Sequence, residues 1–205
     1  MKTIERWRMG RTSDARERLI QSGLQLIHAG GYGPASVREI CELAKVQKGS
    51  FYHFFASKNE LALAVLDHFM AEAARPLMDL ALASDLPPVD RIRRVFRMIA
   101  EGQEAQKSPE GLIKGCPLGN LALEVSVQDR QLRLRIERAM REVTDRIRGV
   151  IREQVGPEAP EEQVQRKAET VFALLEGAIM LAKVTNDAAA IHRSSASVPF
   201  IVLAE

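Results

Sequence analysis

Apolar residues recur at every third or fourth position along most of the chain, and alternating apolar-polar runs are nearly absent. That period predicts an all-α protein. A first helix is predicted to start after Thr12 or Ser13. Ala15, Leu19, Gly23 and Leu26 share one face, Ile20, Leu24 and Ile27 lie beside it, and Gly30-Gly31 stops it. Ser36-Val37-Arg38-Glu39 reads as a capping box opening a short helix whose apolar face is Val37, Ile40 and Leu43. A turn over Ala44–Gln47 leads into the aromatic segment Ser50–Phe55. A second capping box, Ser57-Lys58-Asn59-Glu60, opens a longer helix through Leu61, Ala64, Val65 and Phe69, which Pro76 is predicted to kink or end.

Pro87-Pro88 marks a linker, followed by a helix bearing Ile92, Val95, Phe96 and Ile99. Ser108-Pro109 reads as a helix cap with proline in the first turn. Two long amphipathic helices follow, at about 130–153 and 161–185, separated by Gly156-Pro157 and Pro160. The tail from Asp187 is less regular, with a loop predicted at Ser194–Ser197. The layout predicts two domains, 12–73 and 74–205.

Charge sharpens this division. The whole chain carries a net charge of only +2, but residues 1–60 hold +4 and the remainder −2. A basic front on a mildly acidic body suits a nucleic-acid reader attached to a separate regulatory part. It argues against a non-specific DNA-packaging protein. Nothing resembles a secretory leader or an unbroken apolar run of membrane-spanning length, so a cytoplasmic location is the expectation, with no membrane partner. The four histidines are scattered, Glu124 and Glu176 stand as isolated carboxylates, and P-loop, nucleophile-elbow and dinucleotide fingerprints are missing. An enzyme, a metal site and a cofactor are therefore not expected.

Residues 36–55, SVREICELAKVQKGSFYHFF, have the form of two short helices joined by a tight turn behind a third helix, the unit that sets one helix in the DNA major groove. Ile40, Leu43, Ala44, Val46 and Phe51 suit its packing, and Gly49 permits close approach to DNA. The run Lys48-Gly49-Ser50-Phe51-Tyr52-His53-Phe54-Phe55-x-Ser57-Lys58-x-x-Leu61, preceded by Gly30-Gly31-Tyr32 and Val37-x-x-Ile40, resembles the TetR-type (TetR/AcrR) regulator family over about residues 12–73. The resemblance implies a homodimer that binds a duplex DNA operator, with a recognition helix starting near Gln47. It implies that Gln47, Lys48, Gly49, Ser50 and Tyr52 face the groove and that His53 and Lys58 touch phosphates. It further implies that Ser36 and Arg38 touch backbone or base. The basic arm of Lys2, Arg6, Arg8 and Arg11 is a second candidate for phosphate or minor-groove contact.

The family's C-terminal domains diverge, and the resemblance implies there a helical domain for an unidentified small-molecule effector and for dimerisation through the last two long helices. The segment Gly115-Cys116-Pro117-Leu118-Gly119-Asn120, with Glu124, is similar to that of a branch including NemR-like electrophile sensors. Cys116 as N-cap with Pro117 behind it predicts a thiol activated by a helix N-terminus, with Lys114 adding positive charge. Two modes of release from the operator stay open: a non-covalent effector, or modification of Cys116 by an oxidant or electrophile. Candidate pocket residues are Phe96, Ile99, Cys116, Leu118, Leu121, Phe172, Leu175 and Met180. Cys41, on a short helix, reads as a packing residue.

Overall fold

The computed structural model describes residues 2–125 and 129–204, residues 2–13 by their backbone alone. It is helical, without a strand among the described residues. Helix α1 spans Lys2–Gly30, starting well before the Ser13 that the sequence suggested as its cap. No proline interrupts the segment ahead of Ser13, so the helix runs straight through it. The arm side chains Lys2, Arg6, Arg8 and Arg11 lie outside the described residues.

Helices α2 (Val37–Ala44), α3 (Lys48–Phe54) and α4 (Lys58–Phe69) follow. They close around Leu19, Ile20, Ile40, Cys41, Phe51, Phe55, Leu61 and Val65. Pro76 does not end the fourth helix. The chain passes through one π-helical turn, Met70–Ala74, and continues as α5 (Arg75–Ala81), with Pro76 in its first turn. A proline ring clashes with the carbonyl four residues back in a regular helix, and a widened turn relieves that clash.

Helix α6 (Pro88–Ala105) starts on the Pro87-Pro88 pair as predicted. The Ser108-Pro109 cap is not realised. Residues 108–112 instead form a closed turn, in which Gly111 takes φ +77° and its amide donates to the Ser108 carbonyl at 2.9 Å. The next helix, α7 (Pro117–Val125), begins only after Cys116.

The long pair α8 (Arg130–Val155) and α9 (Glu161–Thr185) stands close to the predicted bounds. The tail is more regular than its sequence suggests: α10 (Ala189–Ser194), a 3-10 turn at Ser195–Ser197 in place of the loop, and α11 (Val198–Leu203). Ile191, Val198 and Val202 bury it, and the ammonium of the buried Lys167 donates to the Val202 carbonyl at 2.8 Å and to that of Ala204. Among the described residues no helix is long and apolar enough to cross a membrane.

A further cluster joins the front of the molecule to its body. Ile27, Ala62, Leu66 and Met70 from α1, α4 and the π turn pack on Leu118, Leu121 and Val125 of α7 and on Leu132, Ile136 and Ala139 of α8. Helix α7 is thus wedged between the two halves.

Candidate DNA-reading face and effector cavity

Helix α2 is set by its own sequence. The Glu39 amide donates to Ser36 Oγ at 3.2 Å, and Ser36 N donates to Glu39 Oε2 at 2.9 Å. This closes the predicted capping box. Lys45, in the left-handed region at φ 54°, ends the helix with its amide on the Cys41 and Glu42 carbonyls and turns the chain toward α3.

In α3, Phe51 is fully buried, with the Tyr52 ring edge-on at 5.3 Å and Phe55 at 5.7 Å. Burial on one side fixes the other. Gln47, Lys48, Gly49, Ser50, Tyr52 and His53 are all exposed, and the Gln47 side chain makes no capping bond. Arg38 extends from the start of α2 beside them, in a loose 3.6 Å pair with Glu42. The Ser36 hydroxyl is committed to Glu39 Oε2 at 2.7 Å. Six of the nine predicted DNA-facing residues therefore lie on this exposed edge, and Arg38 is exposed on α2.

Lys58, expected from the sequence to touch a phosphate, is engaged within the protein. Its ammonium donates to the carbonyls of Tyr32 (2.7 Å), Gly33 (3.2 Å) and Ala35 (3.0 Å) and lies 4.2 Å from the Tyr32 ring centroid. All three donors are spent inside the protein, and burial pulls the lysine below its ordinary pKa. Lys58 clasps the turn between α1 and α2.

The same turn is gripped from α7 as well. The Gly33 amide donates to Glu124 Oε2 at 2.9 Å, and Glu124 Oε1 packs so closely on Gly31 that a Cβ there would lie 2.7 Å from it. Gly31 also has φ +95°, so any side chain at this position meets both a carboxylate and backbone strain. Tyr32 donates to Asn59, which donates to Asp129 at the start of α8.

At its other end α7 borders a cavity of about 240 Å³ between α1, the π turn, α5, α6 and α9. Five of the predicted pocket residues line it: Ile99, Cys116, Leu118, Phe172 and Leu175. Three do not. Phe96 and Leu121 are sealed in the core, and Met180, more than half exposed, sits on the outer face of α9. Helical spacing places residues on a face but does not say which part of a buried face borders a void.

The polar groups of this cavity are mostly engaged. Gln103 holds Gly115 both ways, donating to its carbonyl at 2.9 Å and accepting its amide at 3.1 Å. His28 Nε2 bonds the same carbonyl at 2.8 Å. Burial lowers the His28 pKa, and Lys114 and Lys183 lower it further. The folded state therefore resists protonation while the unfolded chain takes up a proton below about pH 6.5. Stability should fall as pH drops below that value. Urea midpoints at pH 7.0 and 5.5 test this, with His28→Gln expected to flatten the difference.

The Cys116 thiol, expected from the sequence to be activated, stands between opposing influences. Amides of the first turn of α7 reach its sulfur, Gly119 N at 3.4 Å, and draw its pKa down. Burial and the neighbouring Glu176 carboxyl act more strongly in the opposite sense, and the thiol is held far above its ordinary range. Burial raises Glu176 as well. Iodoacetamide should label Cys116 at pH 7.5 at least tenfold more slowly than a free cysteine, since one pKa unit of upward shift already costs about a factor of ten in thiolate. Mass spectrometry of the time course measures this, and labelling at the free-cysteine rate would restore the sensor reading.

A model of the bacterial regulatory proteins of the TetR family matches residues 19–65, and a model of the C-terminal domain of LmrA/YxaF-like transcriptional regulators matches residues 88–197. The chain belongs to the TetR family. It is similar to an uncharacterised HTH-type transcriptional regulator of Lactococcus lactis, 29% identical over 174 residues, which are 85% of this chain and 86% of that one. It is 30% identical to the transcriptional repressor NemR of Escherichia coli over 130 residues, spanning 63% of each chain. Among solved structures it is similar to a regulatory protein TetR from Rhodobacter sphaeroides (TM-score 0.79, 29% identity, covering 91% of this chain and 98% of that one). It is also similar to the reduced form of E. coli NemR (TM-score 0.76, 26% identity, 90% and 95%).

This TetR-family chain is a helix-turn-helix transcriptional regulator, not an enzyme. Its sequence did not disclose the roles of Glu124, Gln103 or His28. Glu124 and Glu176 read as isolated carboxylates because their partners are a backbone amide and a glycine face far away in the chain, and neither leaves a side-chain signature.

Proposed function

We propose that this chain is a homodimeric repressor that reads a pseudo-palindromic operator with α3 and is released by a small-molecule effector held in the 240 Å³ cavity. The reading divides it into a DNA-binding domain at about 12–73 and an effector and dimerisation domain at 74–205. Gln47, Lys48, Gly49, Ser50, Tyr52 and His53 meet the DNA, with Ser36 and Arg38 at the edge of the contact. Residues 173, 177, 180, 181 and 184 of α9 form an outward stripe of Ala, Gly, Met, Leu and Val, for which a second copy is the natural cover.

One observation carries the regulatory part: α7 spans from the cavity to the turn ahead of α2. Cys116, Pro117 and Leu118 line the void at one end, and Glu124 holds Gly33 near the other. An effector that displaces the first turn of α7 pulls on the base of the reading head. The spacing of the two α3 helices then no longer matches two half-sites.

Selection of bound DNA from a random pool, followed by fluorescence anisotropy, supplies the operator and the test. Lys48→Ala and Tyr52→Ala should each lower specific affinity by about 1–3 kcal/mol, roughly 5- to 150-fold. If both leave it intact, α3 is not the reading element. Glu124→Ala should keep operator affinity within about threefold and cut release by a screened effector at least fivefold, the lower bound of usual allosteric coupling. Unchanged release would remove α7 from the route.

A further inference from the structure

Resting on the reading of this cavity as the effector site, we propose that the effector is a small apolar amine whose protonated nitrogen pairs with Glu176. The size follows from the volume. About 240 Å³ holds a molecule of roughly eight to twelve non-hydrogen atoms at the ~20–30 Å³ each that close packing allows. Its walls are largely apolar and soft, with Phe69, Met70, Met78, Met98 and Phe172 among them. Methionines adapt to varied shapes, and phenylalanine faces attract a cation.

Glu176 is the one carboxyl in this lining. Its Oε2 is wedged against Gly119, where a Cβ would lie 2.5 Å from it. The amides of the α7 first turn, which otherwise suit a carboxylate, serve the Cys116 sulfur. Among the described residues no lysine or arginine pairs with Glu176, and the Cys116 thiol is its polar neighbour. The other polar side chains of the lining are His28, Gln103, Gln106 and Lys114, of which Gln106 is exposed. Gln103 and His28 are bound to Gly115, and Lys183, close to the α7 start, donates to Asn120 at 3.0 Å. Lys114 keeps part of its surface in water. A buried carboxyl without a counter-charge favours its neutral form. A bound ammonium supplies that counter-charge. Where Glu176 is protonated in the empty cavity, pairing sends its proton to solvent, so one proton leaves for each amine bound.

The test is calorimetric titration of the full chain with benzylamine, benzyl alcohol and benzoate, which share a ring and differ in head group. At pH 7.5 benzylamine should bind at least tenfold tighter than benzyl alcohol, with benzoate weakest. Benzylamine affinity should rise with pH as pairing competes with the Glu176 proton, and buffers of different ionisation enthalpy should reveal proton release. Glu176→Gln, nearly the same shape, should cut benzylamine affinity about tenfold or more and leave benzyl alcohol within about twofold. Its thermal midpoint should not fall. The proton count on the unaltered protein needs no variant at all. If benzyl alcohol or benzoate binds best, or Glu176→Gln leaves benzylamine unaffected, the amine assignment is wrong. Loss of all binding in the cavity-filling variant Ile99→Trp then keeps the cavity as the effector site. If no probe binds, or if binding ignores Ile99→Trp, the cavity reading falls and takes the amine with it.

Discussion

On the proposed dimer, the double substitution Leu181→Asp, Val184→Asp should yield folded monomers and lower operator affinity by about 10²–10⁴-fold. Met180, Leu181 and Val184 are exposed by 55%, 53% and 80% in the single chain, although the opposite face of α9 is buried through Val171, Leu175, Ala178 and Ala182. Fully covering each such side chain contributes about 1.5–3 kcal/mol. Ala173 and Gly177, in register with them, allow a second helix to approach closely. An aspartate in a dry interface has no water to hold its charge, so each substitution opposes association strongly. Because neither position touches the core of its own chain, helicity should be kept. The loss on DNA follows from losing the tether between two half-site contacts, which is where avidity of that size arises. Sedimentation equilibrium and anisotropy on the selected operator measure both effects. A variant that stays dimeric places the interface elsewhere.

The second large effect is expected at Phe51, where Phe51→Ala should cost about 3–5 kcal/mol. Its side chain is fully buried in the small cluster that positions α3, packed against Tyr52 and Phe55. The cluster draws its walls from α1, α2, α3 and α4, whose large side chains are each held by their own helix, so the cavity left behind closes only in part. Whole domains hold only about 5–15 kcal/mol. The reading head should therefore lose its tertiary order while the larger body, built on α6, α8 and α9, keeps its own core. The expected result is a two-step thermal melt with the first step shifted down strongly, and operator binding reduced to the non-specific level. A single unshifted transition would mean that α3 is held by something other than this cluster.

Glu124 and Lys58 give these two predictions a common setting. One clasps the turn before α2 from the body of the molecule, the other from α4 within the head. The turn is thus held by two charged side chains acting on backbone groups, and only the Glu124 bond depends on the position of α7. Hydrogen bonds to charged groups contribute about 1.5–3 kcal/mol, the range of typical allosteric coupling energies.

The sequence by itself determined the helical class, the capping box at Ser36, the Ser57 cap of α4, the buried side of α3 and hence its exposed edge. Those features depend on residues within one or two turns of each other, and local periodicity and capping chemistry record such relations directly. It also carried the two long C-terminal helices nearly to their ends. Only the tertiary structure decided the fate of Lys58, Cys116, Glu124 and Glu176. Lys58 looked free until three carbonyls some twenty-five positions earlier folded onto it. Cys116 looked activated by its helix, and the local amides do pull in that direction, but burial and a carboxyl sixty residues away in α9 outweigh them. The difference is physical: a helix is closed by its own near neighbours, whereas the charge state of a buried group is set by whichever distant segment the fold brings against it.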